Sequence, residues 1–394
     1  MYRSHKVLLQ PTMGQRGALG ELLAVQCELY NAGLEERRGA WRYEHRAVTR
    51  FEQYRQLKYL HETRPDLMRF GVTVARGTLS RLDLAFGAFF RRCRAGQRPG
   101  YPRFKAQARW DSARWPDTSG WRLISQRRLY LQGIGHVAFR GSRRGLRGVP
   151  KTLVVRREGR RFFAIVQCEL ALPEPLAPTG RVVGLDLGIA SLVTTSDGLH
   201  LDNPHHFARG RDRLAAEQQM LGAKAKGSGR RRAQVARVAA AHRKIRDQRR
   251  DHAHKVSRAV VADFDLIVVE NLQIPNMVAS ASGTVEAPGI NVAAKSGLNR
   301  SIHDAGWAQL LRFIAYKAEE AGREVIAVNA AHTSQRCASC GHVARDNRTS
   351  QASFVCQSCG HTDHADTNAA VNILRAGLAQ RRAQAEREAR GRVA

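Results

Sequence analysis

Two Cys-x-x-Cys pairs, Cys337/Cys340 and Cys356/Cys359, stand fifteen residues apart in the sequence. C-x2-C-x15-C-x2-C is the spacing of a zinc ribbon, in which two tight knuckles bring four thiolates together tetrahedrally. Gly341 and Gly360 follow the two pairs, where each turn needs a residue free to relieve it. A disulfide framework on the same residues would need an oxidising compartment. No apolar run approaches the ~18 residues of a membrane span, and the opening M-Y-R-S-H-K-V-L-L-Q lacks the hydrophobic stretch of a signal peptide. The expected setting is therefore the cytoplasm, with one structural Zn2+ on Cys337, Cys340, Cys356 and Cys359. His342 and His361 are spare ligands at best. Cys27, Cys93 and Cys168 lie among apolar neighbours and are expected to be buried, reduced thiols.

Seven residues past the ribbon's last cysteine, Asp366 opens D-T-N-A-A, which reads as a helix start. Asp186 ends the apolar run V-V-G-L-D and Glu270 ends L-I-V-V-E. An acid terminating a buried strand is costly unless it is paired or binds a cation. One such acid alone more often serves a turn or a cap. Three converging on the rim of one sheet could hold two Mg2+ ions about 3.5 to 4 Å apart, the geometry of two-metal phosphodiester hydrolysis.

Charge agrees with a phosphate-bearing partner. Lys and Arg total 65 against 34 Asp and Glu, giving a net +31, and an excess of this size on a folded chain points to nucleic acid. Gly229 to Arg258 holds eleven basic residues and two Asp on a predicted helix. Like charges at that density repel unless a phosphate chain neutralises them, so Arg243, Arg246 and Arg250 are candidate contacts. G-Y-P-R-F-K-A-Q-A-R-W (100–110) sets Arg103 and Lys105 among Tyr101, Phe104 and Trp110, as single-strand or backbone binders do, although Phe104 suits a core equally well. His252-Ala253-His254 superficially resembles the His-hydrophobe-His pair of single-strand transposases. That chemistry needs a strand, a bulky central residue and a nearby Tyr, so the triplet is set aside.

Organisation follows from periodicity. Residues 2–10 read as a strand. Residues 14–95 carry helical spacing, with Leu19, Leu22, Leu23, Val25, Leu82, Leu84, Phe86 and Phe89 as its apolar positions, and 121–170 return to strands. The run L-P-E-P-L-A-P-T-G (172–180) marks a domain boundary. Beyond it come two strands joined by a turn, a basic helical region (207–262) broken near 227–229, a strand at 264–271, a helix at 303–321 and a strand at 323–330, an α/β layer pattern.

Taken together, "GLDLGIASLVTTSDG", "IVVENLQIPNM", "HTSQRCASCG", "FVCQSCG" and "HADTNAAVNI" resemble the TnpB family, transposon-encoded relatives of the type V CRISPR effectors. The likeness is dense from about 181 to 375 and extends weakly to "YPRFKAQARWDS". It implies a multidomain α+β chain. A β-barrel-like, wedge-type domain (1–12 and 119–172) would carry a helical recognition insertion (13–118), followed by a linker (173–180). A RuvC/RNase H-like α/β nuclease domain (181–331 and 362–378) would carry an inserted zinc ribbon (332–361) and a charged tail (379–394). The resemblance assigns catalysis and Mg2+ to Asp186, Glu270 and Asp366. Asp363 is a decoy, because the family pattern puts the acid two residues before Asn in D-x-N-A-A. Ala365 replaces the middle residue of the more usual Asp-Arg-Asp, which bears on a secondary nucleic-acid contact. The implied activity is RNA-guided DNA cleavage. Its partners would be a guide RNA from the protein's own locus and a double-stranded target with a short flanking motif; no membrane is involved. A nuclease-derived repressor would be marked by loss of a carboxylate, and all three are present. An unguided resolvase would lack the long N-terminal half, and only genomic neighbourhood separates a transposon protein from a CRISPR effector.

Overall fold

The computed structural model describes residues 1–141, 145–171, 174–284 and 286–391. The chain divides into two compact units, Met1–Leu172 and Pro173–Ala394, and the division falls at the head of the proline-rich run.

The first unit begins with β1 (Tyr2–Gln10), then four helices: α1 (Met13–Glu44), α2 (Arg50–Thr63), α3 (Pro65–Met68) and α4 (Val72–Arg94). Capping boxes start α1 and α2. Thr12 pairs reciprocally with Gln15, and Thr49 with Glu52, satisfying amide donors that a helix start leaves open. Strands β2 (Ser112–Trp115), β3 (Trp121–Ser125), β4 (Arg128–Leu131), β5 (Gly135–Arg140), β6 (Val149–Glu158) and β7 (Arg161–Glu169) join β1 in one antiparallel sheet, ordered β2-β6-β7-β1-β5-β4-β3. Its end strands β2 and β3 share no ladder among the described residues. β2 lies inside the span expected to be the helical insertion, because Ser112–Trp115 pair with Leu153–Arg156. Leu19, Leu22, Leu34, Leu82, Trp115 and Trp121 fill the core between helices and sheet. Leu84, expected on the apolar face, is 64% exposed. Cys27 and Cys168 are buried but Cys93 is exposed, contrary to expectation; it lies in the last, solvent-facing turn of α4.

The second unit holds β8 (Val182–Asp186), β9 (Ser191–Thr195), β10 (His200–Asp202), α5 (His206–Gly222), α6 (Gly229–Asp263), β11 (Leu266–Glu270), α7 (Ile274–Met277), α8 (Val292–Ala305), α9 (Trp307–Ala321), β12 (Glu324–Val328), β13 (Ser353–Val355), β14 (Thr362–His364) and α10 (Ala365–Gly391). Five strands order as β10-β9-β8-β11-β12. β8, β9 and β10 are antiparallel neighbours, whereas β11 runs parallel to both β8 and β12. The helix expected at 303–321 is two helices, interrupted by Gly306 at φ 71°. α10 continues through the stretch expected to be a charged tail. The proline-rich segment is fastened to this unit: Leu176 N donates to Ala321 O, and Asp265 accepts from Thr179 N and Gly180 N at 2.7 to 2.9 Å.

α10 lies directly on the sheet. A Cβ at Gly184 would fall 2.1 Å from Ala370 O and 2.7 Å from Leu374 N. Only glycine allows the helix bearing Asp366 to reach the strand bearing Asp186.

Candidate functional site

Asp186 and Glu270 occupy the last positions of β8 and β11, which run parallel with Leu185 beside Val269. The two acids therefore leave the sheet at the same edge. Behind them Val183, Leu185, Ile267 and Val268 are fully buried, so neither strand can retreat. Asp366 enters from the first turn of α10, where a carboxylate is favoured by the helix dipole. Its side chain is 12% exposed.

Asp186 feels both other acids. Burial, then Glu270 and then Asp366 push the Asp186 carboxyl up to about 7, against a partial pull from Arg348. Burial raises Glu270 as well, offset by a 2.5 Å hydrogen bond from Thr333 Oγ1. An acid raised by burial and by neighbouring carboxylates, as Asp186 is, gains from a cation beside it, so this donor set fits Mg2+. The Arg348 guanidinium donates to Asp366 Oδ1 at 3.0 Å and to Gln351 O at 2.8 Å. Sequence reasoning missed both Arg348 and Thr333. Neither sits in a periodic element, and Arg348 is one basic residue among 65. Asp363 belongs to β14, near His361 (4.0 Å) and bonded to the amide of His364. It is not among the charges that raise Asp186. His364 accepts from Asp366 N at 3.3 Å and meets the His200 ring edge-on at 4.5 Å.

The four ribbon cysteines converge. Among the described residues, theirs is the one group of three or more ligand-type side chains whose donor atoms all lie within 4.8 Å; the three carboxylates do not meet that limit. Sγ separations are 3.7 Å for Cys337–Cys359 and 3.6 Å for Cys340–Cys356, close to the about 3.8 Å edge of a tetrahedron with Zn–S bonds of about 2.3 Å. The knuckles repeat the same geometry. Cys337 N donates to His342 O and Cys356 N to His361 O, with Gly341 and Gly360 at φ 80° and 70°. Amides of Cys359 and Ser358 aim at Cys356 Sγ and pull that thiol down to about 6, which favours the thiolate a metal requires. β14 pairs with β13, Phe354 opposite Asp363, so the ribbon extends to His364, past the expected boundary at 361.

Two buried asparagines tie the ribbon to α10. Asn368 accepts from Ala338 N at 2.8 Å and donates to Arg336 O at 2.8 Å. Asn372 donates to Arg336 O and Thr333 O at 2.6 and 3.1 Å. Thr333, in turn, holds Glu270. One circuit of hydrogen bonds thus runs from a zinc-type knuckle through the Asp366 helix to the β11 acid.

The candidate nucleic-acid residues are spread more widely. Arg103 and Lys105 are exposed on the loop before β2, with Phe104 46% exposed rather than in the core and Trp110 buried. Arg243, Arg246 and Arg250 lie on α6, where Arg246 and Arg250 approach Asp247 at 3.0 and 3.9 Å. His252 and His254 are on the same helix, with His254 stacked on Phe313 at 3.9 Å. No described helix is long and apolar enough to cross a membrane.

Residues 165–281 match the family described as "Probable transposase", and residues 307–373 match "Cas12f1-like, TNB domain". Over 303 residues the chain is 42% identical to the "Putative RNA-guided DNA endonuclease InsQ" of Escherichia coli, covering 77% of this chain and 73% of that one. A "Putative RNA-guided DNA endonuclease" of Streptomyces pristinaespiralis is 30% identical over 389 residues, 96% of this chain and 90% of that one. Among solved structures, the mini-RNA-guided endonuclease CRISPR-Cas_phi3 superposes with a TM-score of 0.56 at 9% identity, covering 96% and 92% of the two chains. At that identity the likeness is one of fold.

Proposed function

The chain belongs to the TnpB family, and from that membership we propose that it is a cytoplasmic, RNA-guided DNA endonuclease with a RuvC-like site of Asp186, Glu270 and Asp366. The observation that carries the chemistry is the electrostatic stress at Asp186, raised to about 7 by burial and by Glu270 and Asp366. A site built to be relieved by divalent cations has this signature. The mixed five-stranded sheet with α10 packed on it supports the RuvC-like reading of 181–331 and 362–378.

Asp186, Glu270 and Asp366 would hold two Mg2+ ions, whose chemistry is to activate water and offset charge on the scissile phosphate. Thr333 fixes the rotamer of Glu270, leaving one carboxylate oxygen free of that hydrogen bond. Arg348, anchored to Gln351 O and Asp366, has further N–H groups for a phosphate oxygen entering the site. Cys337, Cys340, Cys356 and Cys359 would hold a structural Zn2+ that keeps the segment bearing Thr333 and Arg348 in place. Base pairing with the guide RNA would read the target. The N-terminal β domain and its helical insertion, Arg103 and Lys105 included, would read only a short flanking motif.

The test is cleavage by protein purified with its locus-encoded RNA, on duplexes carrying a matched or scrambled target beside a randomised flank. Matched DNA should be cut in Mg2+ and scrambled DNA spared. Asp186→Ala, Glu270→Ala and Asp366→Ala should each bind without cutting, and Asp363→Ala should retain most activity. Equal cutting of matched and scrambled DNA would leave an unguided nuclease.

A further inference from the structure

The C-terminal half of α1 leaves large rings in solvent. Trp41 is 60% exposed and Tyr43 77%, and Phe104 joins them at 46% from the loop before β2. The loop is fastened to α1: Asn31 Oδ1 accepts from Lys105 N at 2.8 Å, and Asn31 Nδ2 donates to Lys105 O at 2.9 Å. Two turns further along the helix, the Arg38 guanidinium lies 5.0 Å from the Phe104 ring. Arg42 sits 5.5 Å from the Tyr43 ring, and the Trp41 ring meets His45 edge-on at 6.2 Å. Arg38 and Trp41 fall at i and i+3, on one face of the helix, and His45, the left-handed residue that caps α1, lies against the Trp41 ring.

Charge selects the kind of partner. Glu44 and Glu52 are both taken up by Arg46, at 3.2 and 3.0 Å. Arg38, Arg42, Arg103 and Lys105 are exposed and have no carboxylate partner among the described residues. Rings interleaved with unneutralised cations are what a strand of unpaired nucleotides requires: π-faces for its bases and positive charge for its phosphates. A duplex offers such a surface only its phosphates, because its bases are already stacked.

We propose that the exposed Arg38–Trp41–Phe104 surface is a stacking platform for single-stranded DNA. The choice of DNA rests on the guided-cleavage reading: opening a duplex against a guide displaces one strand whose bases have lost their partners. The platform itself rests on exposure, ring contacts and charge.

Trp41 supplies its own probe. Of five tryptophans, Trp110, Trp115, Trp121 and Trp307 are 0–5% exposed, so quenching by iodide reports Trp41. Full-length protein with its co-purified RNA is titrated with a short oligodeoxythymidylate, the matching oligouridylate, or a blunt DNA duplex of equal length. The DNA strand should quench Trp41 and shield it from iodide, and the duplex should do neither. Trp41→Phe should lose the signal yet keep binding. Phe104→Leu should weaken strand binding roughly five-fold or more, with unchanged melting temperature because this ring is exposed. Tyr43→Leu, two residues from Trp41 and so on another face of α1, should leave strand binding unchanged. Unchanged emission and iodide access at saturating strand, an equal response to the duplex, or preference for the RNA strand would each overturn the proposal. No cleavage is involved, so failure of guided cutting and failure of the platform are read separately.

Discussion

Asp186 is ordinarily ionised above pH 4, yet burial and the charges of Glu270 and Asp366 push it up to about 7. An acid whose folded pKa exceeds its unfolded value takes up a proton on folding. Its contribution is fully present below the unfolded value of 3.8 and is lost as pH rises through about 7. Over that window the loss is at most about 4 kcal/mol, and Arg348 tempers it. Asp186→Asn removes the titration while keeping the shape. Metal-free Asp186→Asn should therefore melt several degrees above the wild type at pH 8, with the gap closing by pH 4. Saturating Mg2+ should also close the gap, by stabilising only the wild type. Parallel melting curves for the two proteins from pH 4 to 8 would show that Asp186 is not under this stress.

At the scale of elements, the four-cysteine ribbon, α10 and the sheet edge act together through Asn368 and Asn372, which are 0% and 5% exposed. Asn368→Ala leaves the Ala338 amide and Arg336 carbonyl without that partner, a cost of about 1–3 kcal/mol, while all four thiols remain. The variant should keep one zinc per chain by elemental analysis but need several-fold more Mg2+ for half-maximal cutting. Cys337→Ser should lose zinc and that Mg2+ response together. Normal Mg2+ dependence in Asn368→Ala would limit the clamp to folding. Much of this site was legible beforehand: apolar runs ending in Asp186 and Glu270, the helix start at Asp366 and the cysteine spacing are all local signals. What local signals lack is partnership. Ser112–Trp115 is too short to announce itself and becomes a strand through pairing with β6. Thr362–His364 joins the ribbon only by pairing with β13, and Gly306 splits a continuous apolar pattern into two helices. Thr333 and Arg348 act through tertiary contacts that no spacing encodes.

For the whole molecule, +31 is more positive charge than one short duplex contact neutralises, and a structured RNA would account for the surplus. α6 shows how the fold keeps such charge available. Its last turns bury Ala253, Val256, Ser257, Val260 and Val261, whereas its first half buries only Gln234 and Ile245. Arg243, Arg246 and Arg250 therefore surround one buried residue, Ile245, on a helix anchored mainly through its last turns. Asp247, between them, neutralises part of that charge at 3.0 Å from Arg246 and 3.9 Å from Arg250. Converting all three arginines to Gln keeps helix propensity and spares the buried face. Folding should be unchanged and nucleic-acid affinity reduced. The informative quantity is the slope of log affinity against log salt, because each phosphate contact releases counterions and each one lost flattens the slope by roughly one. Arg243 has no carboxylate partner among the described residues, so it should account for a larger share of the change than Arg246 or Arg250, which already share Asp247. Single variants measured between low and physiological salt resolve that order. Weaker binding with an unaltered slope would mean that these side chains shape α6 rather than touch phosphate.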